Sequence, residues 1–213
     1  MKNKILTIVY VIALTCLAIT FSISLPIYCR FFYFMQIDGL DLVESTGFTK
    51  NVIITAYNDM LNYLTLPWAE FKTGALKYSS TGAQHFKDVK VLFNLNAGVL
   101  VASAIVVVVL NVLNKKGVIT FVKFKNRSAY FYSGVINVLL PLVIGVFALI
   151  DFETAFDVFH YIFFPGKSNW IFNPYTDQII TILPIEFFAS CAVLIGVALI
   201  VISLIYIIID RKK

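Results

Sequence analysis

The chain has 213 residues, of which 60% are hydrophobic and 14% charged, with a formal net charge of +5. Soluble domains carry about 25% charged residues, so this composition excludes an ordinary soluble globular protein. The basic excess forms no patch interleaved with base-stacking aromatics, which excludes a nucleic-acid surface.

Four stretches lack Asp, Glu, Lys and Arg: residues 5–29, 91–114, 128–150 and 187–209. A helix needs about 20 mostly apolar residues to cross the hydrocarbon core, and helices satisfy their own backbone hydrogen bonds there. The first stretch is longer than the roughly 7–15-residue apolar core of a signal peptide, and no small-x-small cleavage site follows it. It reads as a permanent span. The fold class predicted is therefore an all-α integral membrane protein with four transmembrane helices, one membrane domain over 1–213.

Lys and Arg placement orients the spans. Lys2, Lys4, Lys115, Lys116, Lys123, Lys125, Arg127, Arg211, Lys212 and Lys213 fall on one side with a single acid, Asp210. The other side holds seven basic residues and eleven acids. The basic side reads as cytoplasmic, with both termini and the loop 115–127. The extracytoplasmic side then holds residues 30–90 and 151–186. Function on a membrane scaffold concentrates where the non-spanning chain is longest, so the outer face is the place to look. The three cysteines lie in or at the ends of spans, with neither metal nor disulfide spacing, and read as packing residues.

In the first outer segment, TKNVIITAYNDMLNYLTLP places Ile53, Tyr57, Met60, Leu61 and Leu64 on one helical face, with Pro67 beyond its end. Trp68 and Phe71 read as interfacial anchors. Ser79, Ser80 or Thr81 can cap a helix that continues into the second span, and His85 sits near its start. The second outer segment opens with DFETAFDVFHYIFF. Its Phe152, Phe156, Phe159 and Phe163 predict an amphipathic interfacial helix, with Asp157 and His160 at the border. Pro165-Gly166 ends it. Asn173-Pro174 predicts a short helix over PYTDQIITIL, which Pro184 closes.

His85 and His160 are the only two histidines. Each has an aspartate three residues away, Asp88 and Asp157, on the same helical face. Such a carboxylate can fix a tautomer and favour the imidazolium. The plainer readings are headgroup contacts or packing residues. Zinc is a weaker reading, because no motif such as HExxH is present. No metal and no cofactor are expected. The spans hold no charged residue, which argues against ion-coupled transport.

The segments AQHFKDVKVLF (83–93) and HYIFFPGKSNWIFNPYTDQIITILPIEFF (160–188) resemble the bacterial lipoprotein intramolecular transacylases, small four-span membrane proteins. The resemblance follows span order and loop size over essentially the whole chain; this chain has Asn173 where the family commonly has Asp. It implies that the sn-2 acyl chain of a diacylglyceryl lipoprotein moves onto the α-amino group of its own N-terminal cysteine, leaving a lyso-form lipoprotein. It also implies a site in the bacterial cell membrane facing outward, with His85 and His160 as the catalytic pair. Asp88 and Asp157 would support them, and Trp170, Asp177, Phe159 and Phe163 would border the substrate. The partners are the diacylglyceryl lipoprotein and membrane lipids, with no required protein partner and no nucleic acid. The alternatives are a non-catalytic four-helix membrane scaffold and an intermolecular lipid acyltransferase.

Overall fold

The charge-free stretches all become helices in a computed structural model, which describes residues 2–212. Eight α-helices follow in order: α1 (Lys2–Tyr28), α2 (Arg30–Phe34), α3 (Leu42–Thr46), α4 (Lys50–Thr65), α5 (Ser80–Lys115), α6 (Ala129–Ile150), α7 (Phe152–Phe163) and α8 (Ile185–Arg211). A 3₁₀ helix, Gln178–Ile182, precedes α8. Among the described residues there is no strand, only one isolated bridge between Phe124 and Arg127. Four helices are long and apolar enough to cross a membrane: Asn3–Tyr28, Ser80–Lys115, Ala129–Ile150 and Ile185–Arg211. The protein is an all-α, multi-pass membrane protein.

The helix of the second span begins eleven residues earlier than its charge-free stretch, at Ser80 rather than 91. Its 36 residues rise about 54 Å at 1.5 Å each, well beyond a hydrocarbon core of about 30 Å. The charges Lys87, Asp88 and Lys90 mark the portion outside the hydrocarbon, where His85 lies.

The chain divides into two compact units. The first comprises residues 1–25, 96–147 and 194–213. It joins its helices through polar side chains and small residues, as membrane interiors do. The Tyr10 ring stacks on Phe121 at 4.4 Å and shares a 2.7 Å hydrogen bond with Tyr130. Thr15 donates to Ser133, and Asn96 donates to Ser24 at 2.9 Å. Gly134 lies so close to α8 that a Cβ there would meet the Ser203 carbonyl at 2.9 Å. Asp210 accepts from the Ser128 backbone at 2.7 Å and pairs with Arg127 at 3.0 Å, fixing the start of α6. Helix α6 continues through Pro141.

The second unit comprises residues 26–95 and 148–193. The face predicted for α4 is its buried one: Ile53, Tyr57, Met60, Leu61 and Leu64 all lie in the core. Thr49 caps this helix by accepting from the Val52 backbone. Tyr57 stacks on Tyr33 at 3.8 Å, and the Tyr33 hydroxyl donates to the Ile182 carbonyl at 2.7 Å. Ile179, Ile182 and Phe187 complete this core, so chain from both outer segments is welded together.

Two local expectations change. Trp68 is 79% exposed, whereas Phe71, paired with it in the sequence reading, packs inward on Phe86 at 5.1 Å and Tyr63 at 5.2 Å. The stretch PYTDQIITIL is a turn followed by the 3₁₀ helix rather than an α-helix. Asn173 folds the turn, its side chain accepting from the Tyr175 backbone and its carbonyl from Asp177 at 2.8 Å. The β-branched run Ile179–Ile182 and Pro184 leave little room for α-helical propagation.

Candidate active site

The two histidines, 75 residues apart in sequence, meet in the second unit with ring centroids 5.8 Å apart. His85 comes from the second turn of α5 and His160 from the last turn of α7; they are 5% and 6% exposed. Phe164 lies beside both, 4.9 Å from His85 and 5.7 Å from His160. Phe172 closes on His85 at 5.4 Å. His160 is sandwiched between Phe156 at 4.3 Å and Trp170, whose indole stacks on it at 4.6 Å and 25°.

Neither aspartate serves its histidine as the helical spacing suggests. His160 Nδ1 lies 2.7 Å from the Phe156 carbonyl. A carbonyl oxygen only accepts, so Nδ1 carries the proton and the lone pair sits on Nε2. That Nε2 makes no hydrogen bond within the described residues. Asp157 is exposed, hydrogen-bonds no described residue, and acts on His160 only through space.

Asp88 instead holds the turn after α7. It accepts from Lys167 Nζ at 2.6 Å and from the Asn169 amide at 2.9 Å. Gly166 enables that turn with a positive φ of 72°, which glycine adopts freely. The Trp170 indole N–H donates to the Lys167 carbonyl at 3.1 Å, so the clamp on Lys167 also sets the ring that covers His160.

Burial holds the pKa of both rings below the ordinary histidine value. At His85 the neighbouring His160 adds to the effect, and Asp88 only partly opposes it. Both rings are therefore neutral at pH 7. His85 Nδ1 and Asn169 Oδ1 are the two buried side-chain polar atoms of this unit without a hydrogen-bond partner among the described residues. The sequence does not single out Asn169, Phe164 or Phe172. The only signal for Asn169 is its place beside Trp170 in a turn rich in polar residues.

Asp177 is 3% exposed and faces inward. Its Oδ1 accepts from the Ser79 backbone at 2.7 Å and from the Ser79 hydroxyl at 2.8 Å, while Thr176 donates to Oδ2 at 2.8 Å. Ser79 in turn caps α5, accepting from the Gly82 backbone at 2.9 Å. Asp177 thus anchors the start of the helix that carries His85. Gly82 fits under this anchor only because it lacks a Cβ, which would collide with the Asp177 carboxylate and meet Phe172 at 3.0 Å. Gly82→Ala should cost about 1–3 kcal/mol of stability, read as a lowered thermal midpoint in detergent; an unchanged midpoint would mean the anchor is loose. Phe159 and Phe163 stand about half exposed on the outer side of α7, their rings 4.6 Å apart.

Among the described residues, no group of three or more His, Cys, Asp or Glu could hold a metal ion. The arrangement is a pair of neutral imidazoles roofed by aromatics, a form in which an imidazole can accept a proton and give it back.

The family model described as lipoprotein intramolecular transacylase Lit matches residues 8–188. Among curated proteins, an uncharacterized protein of Aquifex aeolicus (strain VF5) is 30% identical over 119 residues, 56% of this chain. That match spans only 50% of the Aquifex protein's length. Among solved structures, the membrane integral lipoprotein intramolecular transacylase Lit from Bacillus cereus superposes with a TM-score of 0.88 at 23% identity, covering 98% of this chain and 94% of that one. A histidine-to-arginine mutant of the Bacillus protein gives a TM-score of 0.81 at 23% identity, covering 98% of this chain and 90% of its own.

Proposed function

This chain belongs to the lipoprotein intramolecular transacylase Lit family, and we propose that it moves the sn-2 O-acyl chain of a diacylglyceryl-cysteine lipoprotein onto that cysteine's α-amino group. The observation that carries the reading is the neutral histidine pair, 5.8 Å apart, with the tautomer of one ring fixed by a backbone carbonyl.

The amine nitrogen attacks the ester carbonyl, a C–N bond forms, and a tetrahedral adduct results. His160 Nε2 takes the proton that the nitrogen must lose. As the C–O bond breaks, the same nitrogen returns that proton to the departing glyceryl oxygen. Donor and acceptor belong to one molecule and start close together, so no acyl-enzyme and no serine or cysteine nucleophile is required. His85 orients the amine. Donation from its Nδ1–H to Asn169 Oδ1 satisfies both orphaned atoms and leaves Nε2 to accept from the second amine hydrogen. Asp88 is a positioning residue, holding the turn that carries Asn169 and Trp170. Phe159 and Phe163 border the acyl chains where they are exposed on α7. Both termini are cytoplasmic and the histidines face outward, as the distribution of Lys and Arg supports.

The test is incubation of the purified protein with a diacylglyceryl lipopeptide bearing a free N-terminus, followed by mass spectrometry with an amine-reactive tag. Transfer within one molecule leaves the mass constant, abolishes tagging and puts the acyl group on nitrogen in the fragment spectrum. A gain of one acyl chain would identify an external donor instead. No change in the product would return the chain to the scaffold reading.

The pH dependence follows from the lowered histidine pKa values. A histidine with a depressed pKa keeps its neutral, basic form as pH falls through 6.5, whereas the substrate amine, with a pKa of about 7.7–8.0, is already mostly protonated there. Log kcat/KM should therefore rise with unit slope up to about pH 7.7 and then level off, with the amine alone setting the limb. His160 should add a second unit of slope only on the acid side of about pH 6.5. An enzyme pKa at or above that value in the profile would contradict the dry, neutral pair.

A further inference from the structure

Two open grooves, neither lined by a histidine, are not filled by any part of the substrate in the steps above. The inner one, about 270 Å³, runs past Gly82, Asn169, Phe172 and Asn173. The outer one, about 600 Å³, is lined by Lys77, Tyr78 and Tyr175. Ser79 and Thr176 belong to both, so they form one path. It begins at Asn169, whose Oδ1, like His85 Nδ1, is buried without a partner among the described residues, and ends at Tyr175, 88% exposed.

We infer that this path receives the polypeptide that follows the acylated cysteine, docked by its main chain along residues 77–79. The inference rests on the transacylase reading: with the cysteine amine at the histidines, its carbonyl and all later residues must leave toward water. The lining favours peptide over acyl chain, because the side-chain amide N–H of Asn173, which meets no partner among the described residues, and the backbone of Tyr78 offer groups that a peptide pairs and an alkyl chain does not.

The backbone supplies the recognition. Residues 77–79 lie outside any helix or turn. Lys77 is paired on one side, its N–H donating to the Gln178 side chain and its carbonyl accepting from the Gln178 backbone, both at 2.9 Å. The N–H and carbonyl of Tyr78, next in line, meet no partner among the described residues. An extended peptide adds to such an edge through its main chain. Main-chain pairing reads no side chain, so lipoproteins of differing sequence fit equally. The exposed ring of Tyr175 gives the incoming chain a flat wall on the other side.

The experiment uses the full chain in detergent and two probes. One is diacylglyceryl-cysteine amide. The other carries four further residues, with a benzophenone side chain on the third. Irradiation and peptide mapping should give adducts at residues 77–79 or 175–176. The extended probe should show a KM about tenfold below that of the amide, the worth of one or two net hydrogen bonds. Tyr175→Ala, on an exposed turn, should bring the ratio of the two KM values toward one. Adducts elsewhere, or equal KM values in the unmodified protein, overturn the groove while leaving acyl transfer standing. Groove adducts without transfer of either probe keep the groove and overturn the transacylase reading. Neither adducts nor transfer overturns both.

Discussion

Replacing His160 with glutamine should lower kcat/KM for acyl transfer by about 10²–10⁴-fold, the usual worth of a positioned acid-base group. Glutamine can occupy the slot between Phe156 and Trp170 and can still hydrogen-bond, but it cannot take up a proton and give it back. The amine nitrogen would then have to shed its proton to water, which the aromatic roof of Phe156, Phe164 and Trp170 keeps at a distance. A residual rate should survive, because amine and ester arrive on the same molecule and their proximity does not depend on His160. The thermal midpoint separates chemistry from folding: it should move little while the rate collapses. Wild-type turnover in His160→Gln would remove this ring from the reaction.

The four spans are legible in the sequence because charge-free runs of 23–25 residues match the hydrocarbon thickness; a buried helix in a soluble core needs only roughly 10–14 apolar residues. The core face of α4 is legible for a related reason: the 3.6-residue period of Ile53, Tyr57, Met60 and Leu64 survives burial. The two histidines stand out by scarcity and by their shared side of the membrane. Their surroundings do not. Helical spacing brings Asp88 within reach of His85, but spacing cannot show what else arrives. Lys167 and Asn169 come from the turn after α7, some eighty positions away, and Asp88 faces them. A charged lysine and a two-donor amide outcompete a neutral ring for a carboxylate. At His160 the competitor is local and still hidden: the backbone carbonyl of residue 156 ties up Nδ1, and no pattern of side chains announces a backbone acceptor. The partner of Asp177 is hidden on similar grounds: the family resemblance places this residue beside the substrate, and nothing in the sequence shows that its carboxylate also holds Ser79, almost a hundred residues earlier.

His85→Gln should cost about 10²-fold in kcat/KM, the scale set when a reacting group is held slightly out of line. The two rings do different things, and the difference is measurable. His160 moves the proton, so its loss falls on kcat and alters the acid side of the pH profile. His85 accepts one amine hydrogen and so aims the nitrogen lone pair at the carbonyl; glutamine retains an acceptor, and part of the rate should survive with the shape of the profile unchanged. His85→Ala removes the acceptor and should fall further. Asn169→Ala should resemble His85→Gln, because without its oxygen nothing holds the Nδ1 proton and the ring is free to present the wrong nitrogen. Losses in the His85→Gln, His160→Gln double variant should be far from additive, since an aimed amine has little value once no base receives its proton. Full additivity, or an Asn169→Ala variant with wild-type kinetics, would mean that His85 works independently of both neighbours and that the shared site is only a shared address.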